Sequence, residues 1–310
     1  MQEIIVNQQQ QIQTSTLVAN DELVPSRYAV QVGNIEAIVI SDGVLSPPSE
    51  SMSTNASPED RNAWLDGMFL DHDVFDWALN TLVIRSGSQT ILVDTGIGLQ
   101  VPDFTRAGRF GQRLQAAGID LGAVTDVVLT HMHFDHVGGL LIDGVKERLR
   151  PDLKIHASSA EAAFWKDPDF SRTGMPPELA QIARDASRQF LDVYGGMLQL
   201  FDQEATIAPG VTATRTGGHT PGHSVVRLQS NGERLMFAGD AIFPVSFDHP
   251  EWHNGFEHDP EEATRVRLKL LRELVDTKGW LTATHMPFPS VGRVAAAGDL
   301  FRWVPAWWDY

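Results

Sequence analysis

A dense group of metal-binding residue types follows the apolar run Val127–Leu129, where three histidines and one aspartate lie within six residues. The run predicts a buried strand, and side-chain alternation along an extended backbone places His131 and His133 on one side. The chain must then turn, so that Asp135 and His136 approach the same point from another direction. Neutral imidazoles with a carboxylate are typical ligands of a borderline metal such as zinc. A surface cluster of polar residues is the alternative, but the preceding strand and the glycine pair that follows favour the metal site.

Four further histidines and aspartates come directly after apolar segments or lie within a glycine-rich turn. They are Asp94 after Ile91–Val93, His219 in Gly217–His223, Asp240 after Met236–Gly239, and His285 after Thr282–Thr284. Each of these is a weak signal alone, because an apolar run that ends in Asp or His is common. The combination of all of them in this order with the first group is far more specific.

The remaining patterns predict a chain of mixed α and β structure with one domain. Strands are predicted over residues 29–41, 81–93, 127–130, 153–157, 211–216, 224–228, 235–238 and, as the last strand, 281–284. Helices are predicted before Gly118, after a cap at Ser158 or Ser159, over residues 176–194 and after Asp259. The last of these starts with an N-cap residue, a proline and two acidic residues, a strong helix signal.

The His-x-His-x-Asp-His run and the four later motifs resemble the metallo-β-lactamase superfamily, from about residue 28 to the C-terminus. The resemblance implies an α/β (α+β) fold, the αββα sandwich, in which two facing mixed sheets carry helices on their outer sides. It also implies that metals lie in the groove along one sheet edge. Residues 1–27, which are polar and rich in glutamine, are predicted to form an N-terminal arm, and residues 28–310 a single hydrolase domain.

The resemblance also implies two divalent metal ions, with Zn²⁺ favoured and Mn, Fe and Co compatible. The expected ligands are His131, His133 and His219 for one ion, Asp135, His136 and His285 for the second, and Asp240 as a bridge between them. In the family such ions share a hydroxide that attacks the substrate, and Asp135 is expected to orient it and to pass its proton to the leaving group. Asp94 is expected to hydrogen-bond a ligand from outside the site. For His223, four residues after His219, a supporting or structural role is favoured over metal ligation.

Asp240 distinguishes between branches of the family. The zinc β-lactamases carry Cys or Ser at that motif, so antibiotic hydrolysis is disfavoured. The motifs around His219 and His285, with Phe301–Pro305, are most similar to methyl parathion hydrolase and the related lactonases and aryl esterases. This resemblance implies a hydrolase of a small neutral lactone, aryl ester or organophosphate triester. The alternatives are a thioester hydrolase of the glyoxalase II kind, a β-lactamase, and a non-catalytic metal-binding protein.

Five further residues are candidates for the substrate pocket: Phe164, Trp165, Tyr194, His249 and His253. The two aromatic residues after the main motif are equally consistent with a pocket wall and with helix packing. Tyr194 is a candidate hydrogen-bond donor to a substrate carbonyl, with core packing favoured. His249 and His253 lie, together with His258, in a polar loop, where solvated side chains are favoured over substrate contacts.

The composition of the chain limits the kinds of partner that it is expected to bind. The formal net charge of −16 disfavours a protein that follows a phosphate backbone, so we expect a small-molecule substrate and no nucleic acid. The sequence has no apolar run long enough to span a bilayer and no secretory signal, and we therefore expect a cytoplasmic protein without membrane contacts. The absence of cysteine excludes disulfides and thiolate ligands. The aromatic C-terminal segment is compatible with a homodimer interface.

Overall fold

The computed structural model describes residues 25–307, so the first 24 residues of the predicted N-terminal arm lie outside the described residues. Two seven-stranded sheets are each built from consecutive strands of one half of the chain. The first sheet contains β1 (Arg27–Val32), β2 (Ile35–Leu45), β3 (Trp77–Ser86), β4 (Gln89–Val93), β5 (Asp126–Val128), β6 (Lys154–Ser158) and β7 (Leu198–Phe201). The second contains β8 (Glu204–Ala208), β9 (Val211–Arg215), β10 (Ser224–Ser230), β11 (Glu233–Phe237), β12 (Trp280–Thr282), β13 (Gly292–Ala297) and β14 (Leu300–Pro305).

Helices connect the strands on the outer sides of the sheets. The α-helices of the described residues are α1 (Pro58–Gly67), α2 (Phe110–Ala116), α3 (Phe134–Val137), α4 (Val145–Arg148), α5 (Ser159–Phe164), α6 (Pro177–Tyr194) and α7 (Pro260–Thr277). Short 3-10 segments occur at Ser49–Met52, Leu121–Ala123, Gly138–Leu141, Gly195–Met197 and Pro244–Phe247. The Asp259 carboxylate accepts a hydrogen bond from the Glu262 amide at the start of α7, which confirms the predicted N-cap.

Three apolar layers show how the sheets and helices stack. Side chains alternate between layers along each strand: Leu82 and Ile84 face the layer between the sheets, whereas Val83 faces the helices outside the first sheet. In the second sheet, Val226 likewise faces the layer between the sheets, whereas Val225 faces the layer under α7. This is the predicted αββα sandwich of two mixed sheets.

Strand direction determines where the polar loops meet. In the first sheet, β4, β5 and β6 are parallel, and in the second sheet β11 and β12 are parallel. Because the carboxyl ends of parallel strands lie at one edge of a sheet, the loops that follow β4, β5, β11 and β12 emerge where they can converge.

The predicted element list was incomplete at several points, among them β7, β8 and α4, which had no predicted counterpart. Residues 281–284 do not hold the last strand, since the hairpin of β13 and β14 follows. The β13 sequence Gly-Arg-Val-Ala-Ala-Ala contains one strongly strand-forming residue, so its pattern was weak. Helix α1 was also not predicted. No helix among residues 25–307 has the length and apolar character needed to cross a membrane.

Candidate metal centre

Loops from both sheets carry the polar residues predicted from sequence to one place. His131, His133, Asp135 and His136 follow β5, His219 lies between β9 and β10, and Asp240 and His285 follow β11 and β12. Two adjacent groups result, one of His131, His133, His219 and Asp240 and one of Asp135, His136 and His285. Within each group, the possible ligand atoms lie within 4.8 Å of one another.

The first group is a triangle of imidazole nitrogens. His133 Nδ1 lies 2.8 Å from His131 Nε2 and 3.0 Å from His219 Nε2. The three rings meet nearly at right angles, with interplanar angles of 81 to 90°. Three nitrogens aimed at one point in this way can present three lone pairs to a single cation.

Asp240 joins this triangle to the second group. Its Oδ2 atom lies 3.0 Å from His285 Nε2 and 3.4 Å from His219 Nε2, and its Oδ1 atom lies 3.3 Å from His136 Nε2. Asp135 Oδ2 completes the second group at 3.5 Å from His136 Nε2 and 3.6 Å from His285 Nε2. One carboxylate therefore faces imidazoles from both groups, which is the position predicted for a bridge.

Burial and charge divide the histidines by protonation preference. Burial lowers the pKa of His131 and His219 well below the ordinary value, and it lowers the pKa of His133 to about 3. Burial also disfavours the charged form of His136, but the carboxylates of Asp240 and of its other acidic neighbours outweigh this and raise its pKa well above the ordinary value. The triangle therefore favours neutral imidazoles, the form that binds metal.

The residues present fit a divalent metal site. His136 Nε2 and Asp240 Oδ1 are buried and make no hydrogen bond with any described residue, although they face each other. Buried polar atoms of this kind are costly unless another partner satisfies them. A cation bound between the rings and the carboxylates satisfies both atoms, and the set of His and Asp ligands matches zinc and similar metals.

Asp94 and His223 lie outside the two groups and form hydrogen bonds with His136 and Asp240, respectively. Asp94 Oδ2 lies 2.8 Å from His136 Nδ1, and the same carboxylate accepts hydrogen bonds from the Thr130 amide and hydroxyl, each at 2.8 Å. His223 Nε2 accepts a 3.1 Å hydrogen bond from the Asp240 amide, and its Nδ1 lies 2.8 Å from Thr216 Oγ1. Contacts of this kind orient a ligand and fix its tautomer.

Glu161 is a buried residue of the site that sequence reasoning missed. One carboxylate oxygen accepts hydrogen bonds from the Met132 amide at 2.8 Å and from Trp165 Nε1 at 2.6 Å. The other accepts them from Thr220 Oγ1 at 2.6 Å and from the Gly222 amide at 3.1 Å. The carboxylate thus joins the main-motif loop to the His219 loop. A serine three residues before a glutamate is typical of a helix start, so the sequence signal pointed away from the interior.

An apolar pocket opens above the two groups and encloses about 460 Å³ of empty space, including its open mouth. Its polar floor consists of His133, Asp135, Asp240 and His285. Its walls are apolar and consist of Leu45, Pro47, Trp77, Phe104, Phe134, Met175, Leu179 and Phe256.

The five residues predicted for the substrate pocket lie outside these walls. Trp165 is buried and lies beneath the floor, where its ring is 5.4 Å from that of His133, and Phe164 packs against it. Tyr194 is fully buried, and its hydroxyl donates a 2.7 Å hydrogen bond to the Leu140 carbonyl. Packing of α5 and α6 against the first sheet explains the positions of these three aromatic residues.

The two loop histidines face other parts of the protein. His249 stacks on Trp252, with ring centroids 3.9 Å apart, and its Nδ1 lies 3.3 Å from Glu251 Oε1. The His253 backbone is paired with residues 54 and 55, since its carbonyl accepts from the Thr54 amide and its amide donates to Asn55 Oδ1. The loop thus packs against the segment before α1.

Comparison with known proteins gives a family match and solved structures that are similar over nearly the full length of the chain. A family model described as the metallo-beta-lactamase superfamily matches residues 75–278, a range that ends just before His285. The chain is also similar to the solved structure of AidC, a dizinc quorum-quenching lactonase in complex with a product. The TM-score is 0.84 at 28% sequence identity, and the match covers 92% of this chain and 99% of that chain.

Two thioesterases are similar over about half of this chain. The atrochrysone carboxyl ACP thioesterase of Passalora fulva is 33% identical over 164 residues, which are 53% of this chain and 38% of that protein. The acyl-coenzyme A thioesterase MBLAC2 of Homo sapiens is 26% identical over 175 residues, which are 54% of this chain and 59% of that protein. The chain thus matches less than two thirds of the length of these two relatives. The names of all three relatives are those of hydrolases, in agreement with the predicted enzyme class.

Proposed function

Because this chain belongs to the metallo-beta-lactamase superfamily, we propose that it is a dinuclear metal-dependent hydrolase of small neutral lactones or esters with an apolar acyl or aryl group. The observation that carries the proposal is the pocket, in which the polar floor of His133, Asp135, Asp240 and His285 lies beneath apolar walls. Apolar walls over a few convergent polar groups are typical of a small-molecule site.

The seven clustered residues are the proposed metal ligands, with His131, His133 and His219 on one ion, Asp135, His136 and His285 on the other, and Asp240 between them. When bound, divalent ions would supply Lewis-acid polarisation of the scissile carbonyl and activation of a water molecule. The protein's own contribution is to orient these side chains and to exclude bulk water. Asp94 does the first through His136, and the apolar walls do the second.

Asp135 is the proposed catalytic proton carrier. Its carboxylate lies at the pocket floor, within reach of a substrate that enters from above. In ester hydrolysis the water oxygen bonds to the carbonyl carbon, the bond from carbon to the leaving oxygen breaks, and one proton moves from the water to the leaving oxygen. Asp135 Oδ can hold that proton between the two steps.

The walls favour a neutral substrate. None of the pocket-lining residues, all within the described range 25–307, is Lys or Arg. A phosphorylated or carboxylated substrate would therefore find no cationic side chain in the pocket itself. Lactones and esters with apolar groups fit these walls. An organophosphate triester, which is also neutral, is compatible with the same surface.

A thioester hydrolase is the second candidate, and the two thioesterase relatives favour it. The chemistry at the floor would be the same, because a thioester and an ester expose the same carbonyl. The two candidates differ in the leaving group, which for acyl-coenzyme A carries phosphates. Turnover measurements with esters and thioesters therefore distinguish the two candidates.

The test combines metal analysis, a substrate panel and one variant. The purified protein should contain about two metal ions per chain, the number proposed from the two ligand groups. We expect it to hydrolyse acyl-homoserine lactones or aryl esters until a chelator removes the metal. Turnover of S-lactoylglutathione or acyl-coenzyme A alone would establish the thioesterase. Asp135→Asn should lower kcat about 10²–10⁴-fold, and a variant with full turnover would disprove the role of Asp135.

A further inference from the structure

His258 ends the polar loop that follows β11 and is almost fully buried against the metal centre. Its ring lies edge to edge with that of His133, with centroids 5.4 Å apart and an interplanar angle of 27°. The rings of Phe164 and Phe170 enclose it at centroid distances of 4.8 and 5.0 Å. The sequence suggested a solvated loop for this histidine, and the structure places it inside the protein instead.

Both ring nitrogens of His258 have partners. Nδ1 lies 2.9 Å from the Asp169 carbonyl oxygen. Nε2 lies 3.3 Å from His133 Nε2, the nitrogen of His133 that points away from the cluster. The other nitrogen of His133, Nδ1, is the one that faces His131 and His219.

The Asp169 carbonyl determines which atom donates and which accepts in each of these hydrogen bonds. A backbone carbonyl can only accept, so His258 Nδ1 must carry the hydrogen. In a neutral ring this leaves a lone pair on His258 Nε2, which accepts from His133 Nε2–H. The hydrogen on His133 Nε2 in turn leaves a lone pair on His133 Nδ1, directed at the proposed metal position.

We propose that His258 is a positioning residue that fixes the tautomer and ring orientation of His133 through this two-step hydrogen-bond chain from the Asp169 carbonyl. The inference rests on the metal centre of the proposed function. His258 acts on a ligand and does not itself touch the substrate, since it is absent from the pocket lining within residues 25–307.

The backbone around His258 holds the ring in place. The His258 amide donates to the His219 carbonyl at 2.8 Å, so the same residue contacts two members of the histidine triangle. Arg267, buried in α7, donates to the carbonyls of Pro250 and Trp252 at 2.8 and 2.9 Å and pairs with Glu257. The loop is therefore fixed on both sides, as a side chain that determines a tautomer requires.

The tautomers can be measured directly in the metal-free protein. With ¹⁵N-labelled histidine, long-range ¹H–¹⁵N spectra at mildly alkaline pH should show His258 protonated at Nδ1 and His133 protonated at Nε2. His258→Gln and His258→Phe spectra assign the signals. The opposite tautomer at either ring would overturn the proposal. This measurement stands even if the purified protein binds no metal, a result that would contradict the proposed function instead.

A pair of variants separates the hydrogen bond from the packing. His258→Gln keeps an acceptor oxygen near the position of Nε2, whereas His258→Phe keeps a flat ring among the aromatic neighbours and loses the acceptor. We expect His258→Phe to weaken the binding of one metal ion about 10–100-fold, and His258→Gln to retain most of that affinity. His249→Phe, a ring change in the same loop but away from the site, is the control. Equal affinity in all variants, or an equal loss in both His258 variants, would overturn the proposal.

Discussion

The floor and the walls of the pocket are built in opposite ways. The floor consists of buried His and Asp side chains of the metal centre, and hydrogen bonds to other residues orient several side chains of that centre, as Asp94 does for His136 and the Ala78 carbonyl does for His285. The walls are apolar side chains held by packing alone, such as Leu179 and Phe256. Directional contacts fix positions to a few tenths of an ångström, whereas apolar packing tolerates changes of shape.

This difference assigns different tasks to the two regions. In the proposed function, the floor determines whether the reaction occurs, because the proposed ligands must converge on common points. The walls determine which substrate stays bound, because their contribution is proportional to the apolar area covered. Changes at the floor should therefore affect metal content and kcat, and changes at the walls should affect KM and leave metal content constant.

Asp240→Ala is the most severe test of this division. It removes the carboxylate that contacts His136, His219 and His285, so both groups lose their common partner. We expect metal content to fall by at least one ion per chain and kcat/KM by about 10³-fold or more, since a metal supplies several kcal/mol to the transition state. Elemental analysis and turnover measure the two effects. Asp152→Ala, at an exposed carboxylate, is the control. Full metal content in Asp240→Ala would contradict the bridging position.

Asp94→Asn tests the support of the floor without removing a ligand. Both oxygens of the Asp94 carboxylate accept hydrogen bonds, which come from Thr130 and His136. In the asparagine variant an NH₂ group replaces one of these oxygens. That group cannot accept a hydrogen bond, so at least one of the contacts is lost. We expect metal affinity to fall about 10–100-fold.

Asp126→Asn is the matched control for Asp94→Asn. Asp126 and His156 form a similar pair, with Oδ1 and Nε2 2.8 Å apart, remote from the metal centre. Titration against a chromophoric chelator measures both variants. Equal affinities in Asp94→Asn and Asp126→Asn would mean that the hydrogen bond to His136 has no role in orientation.

The same contrast explains what the sequence revealed. The seven clustered residues of the metal centre and Asp94 were all predicted, because each follows an apolar strand or lies in a glycine-rich turn, and such local patterns can be recognised without knowledge of the fold. The αββα sandwich followed from the family resemblance, since periodicity alone indicated only mixed α and β structure. The hairpin of β13 and β14 was missed because alanine-rich strands have little strand signal.

The walls could not be predicted in this way. Trp77 begins β3, Leu179 lies in the first turn of α6, and Phe256 lies in the loop before α7. An apolar residue that lines a pocket has the same local pattern as one that packs in a core, so only the tertiary structure distinguishes them. Glu161 was missed for the related reason that a buried acid at a helix start has the sequence pattern of an exposed one.

Leu179→Ala tests the walls. Removing part of this half-buried side chain should cost about 1–2 kcal/mol of binding for substrates that reach it, or roughly a 5–30-fold higher KM. Small acetyl esters should show little change, and metal content and kcat should match the wild type. Steady-state kinetics over a series of acyl chain lengths measures the effect, with Leu200→Ala, an exposed leucine on β7, as control. An equal change for every chain length would mean that Leu179 does not contact the acyl group.

Tyr194→Phe should have the smallest effect, and it tests whether Tyr194 belongs to the substrate pocket or to the core. The Tyr194 hydroxyl is already used by the Leu140 carbonyl, and the ring stacks on Phe190 with centroids 5.5 Å apart. Loss of the hydroxyl should lower the free energy of unfolding by about 1 kcal/mol, because a buried carbonyl loses its donor. Kinetic constants and metal content should remain unchanged, since Tyr194 is not among the residues that line the pocket. Urea denaturation and turnover measure both quantities. A tenfold loss of kcat with unchanged stability would instead mean that the hydroxyl reaches the substrate during turnover, and the pocket would then extend beyond its present walls.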